Sequence, residues 1–147
     1  MCIRDSWKPS PEDWSILEIV CHLGDEEVDD FRKRVRLTLE QPGEPWPPID
    51  PEAAAVERNY AGQDLAQALK RFLDERQQSL VWLRSLDDPD WDAAYDHPNH
   101  GPVPAGEIMA SWAAHDVLHL RQISKRCLLY TSPSPRDATL SRMPSSA

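Results

Sequence analysis

The stretch SWAAHDVLHLRQ, residues 111–122, decides how the C-terminal part of this chain folds. Trp112, His115 and His119 recur at intervals of three and four residues, which places all three on one side of an α-helix. We predict a helix from about residue 105 to residue 126, with these side chains in its buried stripe. Two imidazoles therefore occupy positions that leucine would normally fill, and they need a physical reason.

The rest of the chain also has the periodicity of helices. We predict one long helix over residues 11–40 with Ser10 as its N-cap, because serine followed by proline and acidic residues is a typical helix start. A short helix is predicted to begin at the sequence DPE, residues 50–52, and to end near Tyr60. A second long helix is predicted to follow Asp64.

Two proline-rich segments separate these helices. Residues 41–51 contain five prolines and a glycine, which excludes a helix or a central strand there. Residues 91–104 contain three prolines and a glycine and are predicted to be an ordered loop. No segment has a convincing alternation of apolar and polar residues. The sequence therefore predicts an all-α fold of the antiparallel up-down four-helix-bundle type.

The two ends of the chain can be encoded by complementary DNA sequences. MCIRDS at residues 1–6 and CLLYTS at residues 127–132 can be encoded by opposite strands of one oligonucleotide, as in sequencing-library adapters. We interpret residues 1–6 and 127–147 as adapter-derived, the latter as a disordered tail. One helical-bundle domain is then expected over residues 7–126, truncated at both ends and lacking its native first helix. Such a domain would expose apolar surface.

Charge and cysteine content limit the possible functions. The net charge of −9 becomes −10 for residues 7–126, because three arginines and two aspartates lie in the excluded ends. Such an acidic domain is repelled by phosphate backbones and anionic membranes, so nucleic-acid and membrane binding are disfavoured. Cys21 is the only cysteine of residues 7–126, which excludes a disulfide within that domain and fits the cytoplasm as the expected location.

The histidine spacing suggests a metal site. His115 and His119 lie one helical turn apart, so their Cβ atoms are about 5–6 Å apart and both imidazoles can reach one cation. His22 is the best candidate for a third ligand, because it lies beside Ile19 and Leu23 on the apolar side of its helix. Three histidines leave an open coordination position, as in catalytic zinc sites. Spacing alone leaves an alternative, in which the histidines are packing residues of the core.

Three stretches resemble the DinB-like superfamily in their order and spacing: WSILEIVCHLGDEE (14–27), IDPE with ERNY (49–60) and SWAAHDVLHLRQI (111–123). The resemblance covers essentially all of residues 7–126. It implies a four-helix bundle with a divalent metal, commonly zinc or nickel, held by His22, His115 and His119. It also implies a possible homodimer, since relatives are often dimers.

Residues beside the predicted ligands also need a role. Glu26 lies one turn after His22 and is the candidate catalytic residue, with a fourth ligand, a residue that orients His22, or a solvated acid as alternatives. Asp116 points away from His115 on the helix and is predicted to form a salt bridge. Gln122 shares the face of the two histidines, where it either orients a ligand or is partly exposed.

Other polar and aromatic residues are given structural roles or none. His97 and His100 lie in the predicted loop, where they either cover the site or are simply exposed. Cys21 is predicted to be a small buried hydrophobe. Three tryptophans are predicted to fill the core: Trp14, Trp82 and Trp112.

Two classes of function fit these expectations. The first is a metal-dependent enzyme acting on a small molecule, either by hydrolysis or by transferring a low-molecular-weight thiol to an electrophile. The alternative is a non-catalytic stress-response or binding module whose metal is structural or vestigial. A third class, the HD-type phosphohydrolases, is suggested by the adjacent His115 and Asp116. It is disfavoured because a helix presents His119, rather than Asp116, beside His115.

Overall fold

The computed structural model describes residues 5–131, and within them the fold is built from helices and one small hairpin. The helices are α1 (Ile16–Asp25), α2 (Arg32–Glu40), α3 (Pro51–Glu57), α4 (Leu65–Ser85) and α5 (Ala105–Thr131). A π-helical segment, Glu26–Phe31, joins α1 to α2, so the chain is helical without a break from residue 16 to residue 40. The predicted all-α class is confirmed. No helix in residues 5–131 is long and apolar enough to cross a membrane.

The first helix begins later than the sequence suggested. Its N-cap is Ser15, whose Oγ accepts from the backbone N–H of Glu18 at 3.2 Å. The Glu18 carboxylate accepts from the backbone N–H of Ser15 at 2.8 Å, which completes a capping box. The prediction of Ser10 as the cap is wrong, because residues 10–13 form a turn in which the Asp13 N–H donates to the Ser10 carbonyl at 3.1 Å.

The predicted loop before α5 contains two short strands. Strand β1 (Ala94–His97) pairs antiparallel with β2 (Gly101–Pro104). Proline fits such a two-stranded hairpin, because an edge strand does not need every backbone N–H. Gly101 has a φ of 72°, a conformation that favours glycine after the turn. The hairpin leads directly into α5, so it fixes where that helix begins.

The last helix is longer than predicted. It continues to Thr131, so Cys127–Thr131 is helical, and the expectation of a disordered tail is wrong for these five residues. The α-helix continues because the apolar and polar side chains here, unlike the later Ser-Pro repeats, do not oppose helix formation. Residues 1–4 and 132–147 lie outside the described part of the chain. The adapter origin of both ends stays a prediction.

The apolar core consists of two clusters. The first surrounds α1 and α3 and contains the buried residues Leu17, Val20, Cys21, Tyr60 and Ala68. The second surrounds α2 and the start of α5 and contains Phe31, Val35, Ile108 and Trp112. Between them lies a band of buried polar residues on α1 and the π-helical segment: His22, Asp25, Glu26, Glu27 and Asp30. The candidate site lies in this polar band.

The buried Glu27 carboxylate has two partner residues, one on each of two other helices. Arg76 of α4 donates from Nε to both of its oxygens at 2.9 Å, and Trp112 of α5 donates from Nε1 at 3.0 Å. The same guanidinium donates from Nη1 to Asp116 of α5 at 2.6 Å. A buried carboxylate needs such partners, since an unpaired charge in the interior is strongly destabilising. Arg76 therefore links the π-helical segment, α4 and α5.

Part of the outer surface is apolar. On α4, Leu69 is 43% exposed and Leu73 is 54% exposed. On α5, Val117 and Leu120 are 56% and 59% exposed. Both helices therefore carry apolar side chains at the surface, and the expected loss of a native first helix stays a prediction.

Removal of the Arg76 guanidinium should be far more damaging than removal of an exposed cation from the same helix. Arg76→Met leaves Glu27, whose side chain is 1% exposed, without its main partner, and such a change costs about 3–5 kcal/mol. Lys70→Met is the control, because Lys70 pairs with Asp74 at the surface, where pairs contribute about 0–1 kcal/mol. Urea unfolding measures both free energies. Equal losses would contradict a central role for Arg76.

Candidate metal centre

Three imidazoles from two helices meet in the polar band. His22 comes from α1, and His115 and His119 come from one face of α5. The Nε2 atom of His115 lies 3.2 Å from Nε2 of His22 and 3.0 Å from Nε2 of His119. Within residues 5–131, these three are the one group of histidine, cysteine and acidic side chains that converges as metal ligands do. The structure thus brings together all three histidines that the sequence singled out.

The spacing of the nitrogens fits a cation better than mutual hydrogen bonding. Two ligands at tetrahedral angles and Zn–N distances of 2.0–2.1 Å would place their nitrogens about 3.3 Å apart, close to the 3.0 and 3.2 Å observed. A neutral imidazole carries only one N–H, so the Nε2 atom of His115 can donate to only one of its two neighbours. The three lone pairs instead share one natural target, a cation between them.

Burial keeps the three imidazoles neutral. It lowers the pKa of His22 to about 3, and the neighbouring His119 and His115 add to the effect. Burial, followed by the proximity of His119, lowers the pKa of His115 to about 4. The pKa of His119 is lowered as well, chiefly by burial. Neutral imidazoles are the form that binds metal, so protons do not compete for these nitrogens at neutral pH.

Two side chains lie at the other nitrogens of these rings. The Gln122 Oε1 atom lies 2.7 Å from Nδ1 of His119, where it accepts an N–H and so leaves Nε2 unprotonated. The sequence left two roles open for Gln122, orienting a ligand or being partly exposed. In the structure Gln122 contacts His119 and is itself exposed. The Glu26 carboxylate lies 3.7 Å from Nδ1 of His22, which is too long for a hydrogen bond. That buried Nδ1 has no hydrogen-bond partner among the described residues.

Glu26 is itself in an unusual environment. Burial, followed by the neighbouring Asp30 carboxyl, raises the pKa of Glu26 to about 8. Its carboxyl is 8% exposed and lies at the Nδ1 edge of His22, whereas the Nε2 edge faces the other two histidines. Glu26 therefore lies behind His22 as seen from the centre of the cluster.

Aromatic rings surround the imidazoles. Trp14 makes an edge-to-face contact with His22 at a centroid distance of 4.8 Å, and Phe31 contacts His115 at 5.0 Å. Trp14 is partly buried and contacts both His22 and Tyr60 of the first apolar cluster, so it packs at the edge of the predicted core. The other two tryptophans follow the prediction, Trp112 being 5% exposed and Trp82 packing against the second apolar cluster.

Several polar residues lie outside the cluster. Asp116 pairs with Arg76, as predicted, which argues against the HD-type arrangement. His97 and His100 contact each other on the hairpin, with ring centroids 4.6 Å apart, and do not cover the three histidines. Cys21 is buried as predicted, and burial raises the pKa of its thiol to about 11, so it is no nucleophile at neutral pH.

Arg58 and Tyr60 also have a structural explanation. Both bind the buried Asp25 carboxylate at the end of α1: Tyr60 donates its hydroxyl, and Nη1 of Arg58 lies 2.6 Å from Oδ2. Arg71 of α4 donates to the other oxygen. These contacts hold the 58–60 segment and α4 against α1, three residues after His22.

A cleft of about 550 Å³ opens on the histidine cluster. Its lining includes His22 and His119 together with residues of the N-terminal segment, the start of α3 and the end of α5. Sequence reasoning did not anticipate the cleft, since its walls are up to 114 positions apart, from Glu12 to Arg126. Sequence reasoning also missed the pair of Glu27 and Arg76. Nothing in the sequence distinguishes Glu27 from the solvated acids that are usual in an Asp-Glu-Glu run, so its arginine partner could not be identified either.

A helical bundle in which three imidazole nitrogens converge defines a class of protein with a candidate metal centre in its core. The chain belongs to the DinB superfamily, whose sequence profile matches residues 6–123. The family that the sequence motifs indicated is thereby confirmed.

Two known proteins are similar to this chain. One is the solved structure of YfiT from Bacillus subtilis, described as a candidate metal-dependent hydrolase with an unusual four-helix bundle topology. It superposes with a TM-score of 0.66 at 19% identity, covering 84% of this chain and 73% of YfiT. This likeness confirms the predicted four-helix-bundle fold.

The second is a candidate metal-dependent hydrolase of Oceanobacillus iheyensis, OB0782, which is 25% identical over 115 residues. The match covers 78% of this chain and 65% of OB0782, so the chain spans about two thirds of that curated relative.

The lowered histidine pKa values predict a pH-dependent loss of stability in metal-free protein. Unfolded histidines take up protons below about pH 6.5, whereas folded His115 resists protonation down to about pH 4. The unfolded state then binds more protons, so stability is lost as pH falls through this range. Between pH 7 and pH 5, the wild type should lose more than His115→Gln/His119→Gln, by on the order of 2 kcal/mol.

Chemical unfolding at the two pH values after chelation measures this difference. Glu26, with its raised pKa, acts in the opposite direction in the same range, so the comparison between variants carries the result. His97→Gln/His100→Gln is the matched control and should behave like the wild type. Identical pH profiles for all three proteins would show that the clustered histidines titrate normally.

Proposed function

We propose that this protein is a metal-dependent hydrolase of small molecules, with His22, His115 and His119 as the ligands of one divalent cation. The observation that carries the proposal is the convergence of their three Nε2 atoms at 3.0 and 3.2 Å. Two similar proteins described as candidate metal-dependent hydrolases support it. Zinc and nickel are the proposed metals, because both suit imidazole ligands.

The chain's own residues each have a part in this proposal. His22, His115 and His119 would hold the divalent cation, which would supply a lowered pKa for a bound water or thiol. Gln122 fixes the tautomer of His119 by accepting its Nδ1–H at 2.7 Å. Arg76 holds the helices that carry the ligands, through Glu27 and Asp116. The cleft beside His22 and His119 gives a substrate access.

We assign Glu26 a positioning role in this site. A catalytic residue must reach the reacting atoms, but the Glu26 carboxyl lies 3.7 Å from Nδ1 of His22, on the edge of the ring away from the other histidines. A carboxyl group on this side of a ligating histidine orients the ring and raises its basicity when it accepts the Nδ1–H, so the role requires the 3.7 Å separation to shorten when the cation binds.

Two other functions are outcomes of the same experiments. An open position on the cation would equally serve transfer of a low-molecular-weight thiol to an electrophile, which differs from hydrolysis in requiring the thiol. A non-catalytic module with a structural metal would bind the cation without any turnover. The buried thiol of Cys21 takes no part in either case, since its pKa is raised to about 11.

Purified protein should contain about one equivalent of zinc or nickel by elemental analysis, and His115→Ala/His119→Ala should contain almost none. The matched control is His97→Ala/His100→Ala, which removes two histidines of the hairpin and should retain the metal. Circular dichroism establishes that all three proteins are helical. Absence of metal from a folded wild type would make the three histidines packing residues and would end the proposal.

Loaded protein should hydrolyse members of a panel of small esters and amides, with activity lost after chelation and restored by metal. Turnover that needs an added thiol and an electrophile would assign the transferase instead. A protein that binds metal tightly but turns over nothing in either panel would be the non-catalytic module.

Replacement of Glu26 should weaken metal binding while leaving the ligands in place. Glu26→Gln should bind zinc about 10–100-fold more weakly, the usual effect of removing a group that orients a ligand. Asp29→Asn is the control, since Asp29 is an exposed acid in the same π-helical segment. Competition with a chromophoric chelator measures the affinities. Unchanged zinc affinity together with a large loss of turnover at saturating metal would make Glu26 a catalytic residue.

A further inference from the structure

We propose that the cleft beside the three histidines selects substrates that carry a positive charge next to an apolar body, such as an ester or amide that bears an amine. This inference rests on the proposed function, because it assigns a substrate class to the same site. It follows from the charges, the ring and the apolar residues that line the cleft.

The cleft has the size and position of a substrate site. Its volume of about 550 Å³ lies within the range of about 300–1,000 Å³ typical of small-molecule sites. His22 and His119 form part of its wall, so a bound molecule lies beside the candidate metal centre. His22 is 5% exposed, which shows that the histidines form the inner end of the cleft rather than an outer rim.

Negative charge dominates the lining. The carboxylates are those of Glu12, Asp13, Asp50 and Glu52, and the one cationic side chain is that of Arg126. The Arg126 guanidinium is already bound, by Asp13 at 2.5 Å and by the Trp14 carbonyl at 3.2 Å. An anionic substrate is therefore repelled by the side chains of the cleft, since no cationic side chain of the lining is free to bind it.

Two of the carboxylates are available to a ligand. Asp50 caps α3 by accepting from the Ala53 N–H at 2.9 Å, so part of its capacity is used. Glu12 and Glu52 are exposed and make no hydrogen bond or ion pair with any residue in the range 5–131. They do not form a second metal site either, since the ligand atoms that converge within that range belong to the three histidines alone. Their combined field is suited to an organic cation.

The remaining lining suits the rest of such a molecule. Trp14 is partly buried, lines the cleft and contacts His22, so its ring forms part of the wall beside the candidate metal centre. An indole ring attracts ammonium groups through its quadrupole and also packs against apolar groups. Ile49 and Pro51 add apolar surface to the same wall. An amine with an attached apolar body therefore matches the cleft in charge and in polarity.

Phenethylamine and 3-phenylpropionate test the charge preference, since they are similar in size and opposite in charge. Calorimetric titration is first done on metal-free protein, because a bound metal would attract the carboxylate directly. Phenethylamine should bind at least tenfold more tightly, and its affinity should fall as salt is added. Equal binding, or tighter binding of phenylpropionate, would overturn the proposal.

Two matched double variants identify the groups responsible. Glu12→Gln/Glu52→Gln removes two charges from the cleft and should weaken phenethylamine binding by about fivefold, the effect of two exposed charges. Glu44→Gln/Glu57→Gln removes two exposed charges elsewhere and should leave the affinity unchanged. An equal effect of both pairs would overturn the proposal, because the preference would then come from net charge alone.

Metal content measured on the same preparations separates this inference from the proposed function. Protein that contains metal as purified, but shows no preference for the amine once the metal is removed, would overturn the inference and leave the hydrolase proposal standing. An amine preference in protein that binds no metal would support the assignment of the cleft and would overturn the hydrolase proposal.

Discussion

Arg76 holds together the parts of the molecule on which the candidate site depends. Its guanidinium binds the buried Glu27 carboxylate in the π-helical segment and Asp116 on α5, while Arg76 itself belongs to α4. Glu27 lies five residues after His22, and Asp116 directly follows His115. A charge this deeply buried tolerates little displacement of its partners, because loss of any bond exposes an unsatisfied group to a low-dielectric interior. The same contacts therefore fix the distance between the two helices that supply the histidines.

Burial of the carboxyl groups in the polar band reduces the free energy of unfolding, and the two apolar clusters offset this loss. A helix with four buried carboxyl groups, those of Asp25, Glu26, Glu27 and Asp30, is an unfavourable core element unless each finds a partner or a proton. Asp25, Glu27 and Asp30 have arginine partners, and burial raises the pKa values of Glu26 and Asp30. The π-helical turn, a feature frequent at functional sites, lies within this band. Buried carboxyl groups lower the free energy of unfolding, and proteins often retain them where they form part of a functional site.

Electrostatics also differ between the two sides of the histidine cluster. Towards the core, the imidazoles meet the Glu26 carboxyl and the ring of Phe31. Towards solvent, they meet Trp14 and an acidic cleft. Residues on the core side therefore orient the histidines. Residues that line the cleft would select the molecules that enter from solvent, so the two tasks involve different residues.

Periodicity predicted the elements whose signals are local. The helices α3 and α4 begin at the expected caps, Asp50 and Asp64, and α5 places His115 and His119 on one face as their spacing requires. The start of α1 was wrong because two serines compete, and only Ser15 is followed by a glutamate that completes a capping box. The hairpin before α5 was missed because its strands have only four residues each, too few for an alternating pattern, and β2 contains two prolines.

The sequence by itself determined the helical class, the family and the pair of histidines one turn apart, since each depends on residues close together along the chain. Only the tertiary structure decided that His22, 93 positions from His115, completes the cluster, that Glu27 is paired and buried, and that a cleft opens beside the site. These features depend on which distant surfaces pack together. That choice is set by burial and charge pairing summed over the whole fold, which no local pattern records.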